Sequence, residues 1–158
     1  MKRSILHPLG AFLMLLASFS LFAADELMVT DPWMRAAPPN APALALFMGL
    51  ENHSSSDIIL VEAKTTIPGA RVELHRTVMA DGMMKMAQQS EIKVASHQSV
   101  MLEPGSWHIM LIGPDHVPTA GEKVGVTLTL KSGVEQKFEA VVRKGKMMMN
   151  SGHGHHNH

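Results

Sequence analysis

Two histidines and two methionines stand out for the chemistry they could do together. His75 is followed after ten residues by Met86 and after twenty-one more by His108, with Met110 two positions further on. Imidazole ligates several late transition metals. Thioether is a soft donor that adds little for zinc, magnesium or calcium and selects Cu(I). The chain contains no cysteine, which excludes a disulfide scaffold, an iron–sulfur cluster and a blue-copper centre built on thiolate. Taken singly, each of the four residues has an ordinary reading. Methionine is a common core filler, and a lone histidine in a β protein is usually hydrogen-bonded or at the surface.

The elements that would have to position these residues read as short strands. Candidates are Leu27–Val29, Ala43–Asn52, Ile58–Thr66, Arg71–Met79, Met83–Gln88, Ser99–Leu102, His108–Ile112, Lys123–Lys131 and Gln136–Arg143. Turn chemistry separates them, including Pro38-Pro39-Asn40, Ser54-Ser55-Ser56-Asp57, Pro68-Gly69, Asp81-Gly82, Pro104-Gly105, Gly113-Pro114-Asp115 and Ser132-Gly133. Short strands with closely spaced turn signals predict an all-β sandwich or barrel. The segment 123–131 alternates cleanly and places Val124, Val126, Leu128 and Leu130 on one face. No window has convincing helical periodicity, and no internal repeat is present.

Strand geometry tests the four-residue set on its own terms. Asp81-Gly82 is a strong two-residue hairpin signal. With those residues as the turn, Ala80 faces Met83, Met79 faces Met84, Thr77 faces Met86 and His75 faces Gln88. His75 and Met86 then become diagonal neighbours on one face, about 7–8 Å apart at the backbone. His108 and Met110, two apart on another strand, also share a face. A hairpin face and a neighbouring strand can therefore converge the four ligands. Met79 and Met84 fall on the same hairpin face; they read either as spare thioethers or as packing residues, with packing the expectation. His53, His97 and His116 each lie near a turn and are expected to be structural or surface residues.

The pattern His75-x10-Met86-x21-His108-x-Met110 resembles the signature of the periplasmic copper chaperone family called PCu(A)C. The surrounding residues match as well: Glu73-Leu74-His75, Asp81-Gly82-Met83-Met84-Lys85-Met86, and Pro104-Gly105 before His108-Ile109-Met110. The resemblance spans residues 27 to 143. It implies a Greek-key β-sandwich of the cupredoxin-like kind and a Cu(I) ion held by His75, Met86, His108 and Met110. It also implies delivery of copper to cytochrome c oxidase assembly, with a CuA-type oxidase subunit or a thiol-bearing assembly factor as acceptor. Two positions depart from the pattern. Arg76 follows His75 where some members carry methionine, and Ser106-Trp107 precedes His108 where many carry glycine and a variable residue. By alternation Trp107 points away from His108 and is expected to pack in the core.

The start of the chain suggests its compartment. Lys2 and Arg3 precede an apolar run from Leu9 to Phe22 that ends in Ala23-Ala24, the pattern of a cleaved secretory signal. The run is short of the about 20 residues that a membrane span takes. Residues 1–24 are thus read as the signal peptide, 25–143 as one β-sandwich domain and 144–158 as a flexible tail. A periplasmic location and no stable membrane insertion follow. With no cysteine beside the cleavage site, a lipid anchor is not expected.

The full chain is neutral, with 14 basic and 14 acidic residues. It has no basic stripe of the kind nucleic-acid binding would need. No nucleophile elbow or zinc-hydrolase motif appears, so an enzyme is not expected. The tail carries Met147-Met148-Met149 and then His153, His155, His156 and His158 among Gly, Ser and Asn. Such imidazoles suit Cu(II). Two functions remain open: a metallochaperone that delivers copper, and a copper-buffering protein that confers tolerance.

Overall fold

The computed structural model describes residues 27–145, and within them every regular element is a strand. The expected signal, residues 1–24, lies outside the described residues, as do Met147 to Met149 and the four tail histidines. Ten strands follow in chain order: β1 (Leu27–Arg35), β2 (Ala43–Asn52), β3 (Ile58–Thr65), β4 (Arg71–Ala80), β5 (Met83–Gln89), β6 (Ile92–Val94), β7 (Ser99–Leu102), β8 (Trp107–Ile112), β9 (Lys123–Leu130) and β10 (Glu135–Arg143). They form one mixed sheet in the order β5-β4-β8-β7-β2-β1-β10-β9-β3-β6, with β8 also pairing β2. The all-β class expected from the turn spacing is the observed one.

The sheet folds over on itself around a single apolar core. Leu46, Leu74, Ile109 and Leu111 from one half meet Leu60, Ile92, Val126 and Leu128 from the other. Burying each such side chain contributes about 1.5–3 kcal/mol relative to leaving it in water. Asn52, at the end of β2, binds the two halves together. Its Nδ2 donates to the carbonyls of Val94 at the end of β6 and of Ala95 just after it, and to that of Ser56. Its Oδ1 accepts from the amide and hydroxyl of Ser54.

Two elements, β1 and β6, depart from the pattern reading by more than a residue at one end. β1 runs through Pro32 to Arg35 instead of ending at Val29, because an irregularity between Thr30 and Trp33, with Asp31 at φ 44°, absorbs the proline. Its end then pairs in parallel with β10, and Asp31 takes a bidentate contact from Arg143. β6 is a three-residue strand that pairs with β3 through Ile58, Ile59 and Leu60. β8 begins one residue early, at Trp107.

The β4–β5 hairpin is closed by Asp81 (φ 53°) and Gly82 (φ 75°), the two positive angles that a type I′ turn requires. Its register runs Ala80–Met83, Met79–Met84, Thr77–Met86 and His75–Gln88, as the turn chemistry predicts. On its other side β4 pairs with β8, which sets His75 opposite His108 and Glu73 opposite Met110.

Candidate metal centre

On β4 and β8 the two faces of the sheet do different work. Leu74, Ile109 and Leu111 point into the core. Glu73, His75, His108 and Met110 lie on the opposite face, because side chains alternate along a strand and directly paired residues point the same way. The Thr77 amide donates to the carbonyl of Ser106, the residue just before β8. By the antiparallel alternation, His75 and His108 are then a hydrogen-bonded pair across β4–β8, whereas Thr77 and Met86 are a non-hydrogen-bonded pair across β4–β5.

The two imidazoles are almost fully buried, at 8% and 4% exposure for His75 and His108. Their ring centroids lie 5.7 Å apart with the planes tilted by 42°. Each ring has one nitrogen engaged. His75 Nε2 is 2.8 Å from Glu73 Oε2, and Glu73 Oε1 is 2.8 Å from Arg71 Nη1. His108 Nδ1 is 3.1 Å from the Ser106 carbonyl. Carboxylate and carbonyl oxygens only accept, so His75 Nε2 and His108 Nδ1 carry the hydrogens. In the neutral form of each ring the remaining nitrogen, His75 Nδ1 or His108 Nε2, is a lone-pair acceptor. Both are buried and neither has a hydrogen-bond partner in the protein.

A buried acceptor left without a partner costs about 1–3 kcal/mol, and here two such acceptors stand on paired residues. Histidines that ligate metals characteristically donate their other nitrogen to a carboxylate or backbone carbonyl, which fixes tautomer and ring orientation. Both histidines have that arrangement. Burial holds the His108 imidazole below its usual pKa, and the neighbouring His75 pushes in the same direction against the Ser106 hydrogen bond. The ring is thus kept neutral, the form that can ligate a metal.

The thioethers occupy the neighbouring positions. Met86 is one same-face residue pair away from the histidines toward the hairpin turn, and Met110 is one pair away in the opposite direction. Same-face neighbours along a strand are about 6.8 Å apart. Met86 is 62% exposed and Met110 is half-buried. The histidines are therefore brought together directly, while the methionines flank them on flexible, unbranched side chains. Among the described residues no group of three or more His, Asp or Glu side chains is arranged to hold a metal ion.

Other expectations divide. Trp107 pairs with Arg76 on the face away from His108 and packs against the core, with the Arg76 guanidinium 5.0 Å from its ring centroid. His53, His97 and His116 are exposed and scattered. His53 faces Glu51, His116 faces Glu122, and His97 occupies a positive-φ position after β6. The packing expected of Met79 and Met84 is not found, since both project into solvent from the hairpin. Glu73 was visible only as part of the local motif. Its position two residues before His75 on one strand was the signal that it shares the imidazole's face.

The model of the LpqE-like family, described as "Putative lipoprotein LpqE-like", matches residues 27–142. The chain belongs to the LpqE-like family. One member-like relative, Lxx21020 of Leifsonia xyli subsp. xyli, described by name as a lipoprotein, is 32% identical over 111 residues. That match covers 70% of this chain and 65% of the relative, so the chain spans just under two thirds of the relative's length. Among solved structures, the Cu(I) form of DR1885 from Deinococcus radiodurans is 29% identical with a TM-score of 0.62, covering 78% of this chain and 83% of that one. The apo form of DR1885 is 26% identical with a TM-score of 0.60, covering 92% and 98%. The copper-bound PCuAC domain from PmoF2 shares the fold at 20% identity and a TM-score of 0.64, covering 78% and 97%. This LpqE-like chain thus has the β-sandwich fold of PCuAC domains.

Proposed function

We propose that this LpqE-like protein is an exported, periplasmic copper metallochaperone that carries Cu(I) on His75, Met86, His108 and Met110. The observation that carries the reading is the pair of partnerless buried nitrogens, His75 Nδ1 and His108 Nε2, on directly paired residues with a thioether to either side. Two imidazoles and two thioethers suit Cu(I) better than any hard cation. The Cu(I) and copper-bound states named for two solved neighbours favour the same cargo.

Delivery follows from ligand chemistry. All four donors are neutral, whereas a reduced CuA-type oxidase subunit or a thiol-bearing assembly factor offers anionic thiolates. Copper remains Cu(I) throughout, and each neutral donor is replaced by a stronger soft one. No catalysed bond change is required of the protein, which acts as a carrier and not an enzyme. The tail histidines His153, His155, His156 and His158 supply a separate Cu(II)-binding segment in this scheme.

The test is to mix the Cu(I)-loaded protein with a reduced CuA-type domain, separate the two and measure metal on each. Copper should be found on the acceptor, and prior oxidation of the acceptor's cysteines to a disulfide should block its movement. Copper that stays on the donor at equilibrium replaces delivery by buffering for copper tolerance.

A further inference from the structure

Four of the eight residues from Met79 to Met86 are methionines, and the histidine site uses only one of them. Met79, Met83 and Met84 are 68%, 59% and 65% exposed, so burial does not account for them. Strand propensity does not account for them either, since β-branched and aromatic residues suit an exposed hairpin better.

Their placement is more specific than their number. Met79 and Met84 are directly opposed. Like Thr77 and Met86 two residues further in, they form a non-hydrogen-bonded pair, the type with the closer backbone approach of about 4.5 Å. Both lie on the face of Met86 and the histidines, whereas Met83 pairs with Ala80 on the other face. The face therefore reads, from turn to interior, Met79 with Met84, then Met86, then His75 with His108. Successive positions are about 6.8 Å apart. No stronger donor interrupts the row, because Thr77 is the residue opposite Met86 and Lys85 lies on the other face with its ammonium toward Asp81.

We propose that Met79, Met84 and Met86 form a second, outer Cu(I) site, and that the ion passes between this site and the histidine pair through Met86. The relay rests on the assignment of His75 and His108 to the inner site. Three thioethers make a soft, neutral donor set that takes Cu(I) and leaves harder ions in water. In the inward step the ion forms a bond to an imidazole nitrogen as it releases a thioether of Met79 or Met84. Met86 stays bound across the exchange. The outward step is the reverse. The ion keeps its single positive charge, and no electron or proton changes place. The outer site is the weaker one, lacking imidazole, and it is open to solvent where a donor or acceptor can reach it.

The experiment titrates the full chain, carrying carbon-13 at its methionine methyl groups, with Cu(I) under anaerobic conditions. The first equivalent should move the Met86 and Met110 resonances, and further copper should move Met79 and Met84 together, with Met86 shifting a second time as its sulfur passes to the outer ion and leaves the inner one on two imidazoles and Met110. The double variant Met79→Leu, Met84→Leu keeps volume and apolar character at two exposed positions. It should lose the second step, retain the first, and give up its first-bound copper to a chromogenic Cu(I) chelator several-fold more slowly. Met83→Leu should change none of these.

The outer site is overturned if Met79 and Met84 do not move through the second and third equivalents, or if the double variant releases copper at the parent rate. If instead the first equivalent moves Met79 and Met84 but not Met110, the inner-site assignment fails and the relay fails with it.

Discussion

The two ends of the β4–β5 hairpin carry donor groups of opposite character. At the inner end His75 is buried and faces His108, and the hydrogen bonds of Glu73 and Ser106 dictate the tautomer of each ring. At the outer end Met79, Met83 and Met84 stand in solvent, with no polar group to orient them. The inner donors are arranged before any ligand arrives, and preorganisation of that kind lowers the ordering cost of binding. The outer donors keep three rotatable bonds each and adapt to whatever approaches. On the proposed reading, one hairpin joins a fixed binding position to a compliant surface, and a carrier that must both hold and release an ion has use for each.

Removing the fixed end should have the largest effect. His75→Ala combined with His108→Ala should abolish Cu(I) binding at the inner site, read by competition with a chromogenic chelator. A double variant that competes as well as the parent would leave the inner site without its nitrogen ligands. Glu73→Gln comes next, because it keeps the shape but removes the charge that holds the His75 Nε2 hydrogen. Outer partners of ligating histidines are typically worth about 10–100-fold in metal affinity, and a loss in that range is expected. An unchanged affinity would reduce Glu73 to an ion-pair partner of Arg71.

Met86→Leu and Met110→Leu should each weaken Cu(I) binding by less than loss of a histidine, and the two together by more than either alone. Met79→Leu should leave inner-site affinity close to that of the parent. If Met79→Leu weakens the site as much as Met86→Leu, the division between the two ends of the hairpin disappears.

The smallest effect concerns the metal-free protein and pH. Burial lowers the His108 pKa in the folded state, so the unfolded chain binds the proton more readily. The stability held above the unfolded value of about 6.5 should then fall progressively as pH drops toward the depressed folded value. Urea midpoints for the parent and His108→Gln should diverge below that pH in the sense that the parent loses more. Parallel curves would mean that His108 does not set the slope.

The sequence was informative where interactions are local and silent where they are not. Asp81-Gly82 fixes the hairpin register through a period of two, so the opposition of Thr77 and Met86 could be read in advance. The β4–β8 pairing could not, since thirty-two residues separate His75 from His108 and no turn connects them. β6 escaped because three residues are too few to alternate, and the end of β1 escaped because proline usually interrupts a strand. The exposure of Met79 and Met84 was missed for a related reason. A strand pattern assigns residues to faces, but how far a hairpin projects beyond the strands that cover it depends on the whole sheet. The twin roles of the Ser106 carbonyl, which accepts from both the Thr77 amide and the His108 ring, leave no trace in residue type at all.

That carbonyl makes the inner site lopsided. With its Nδ1 hydrogen committed to Ser106, His108 can offer only Nε2, the nitrogen four bonds from its Cα. With its Nε2 hydrogen committed to Glu73, His75 can offer only Nδ1, three bonds from its own. One ring reaches out across the sheet while the other presents its lone pair close above its own strand. Where the two lone pairs are drawn onto one ion, this difference in arm length favours a meeting point nearer β4 than β8, on the side of β5 and Met86. Turning either ring over would exchange the long arm for the short one and move the meeting point away from that thioether. On the proposed reading, the backbone oxygen of Ser106 thus helps decide on which side of the histidine pair an ion can sit.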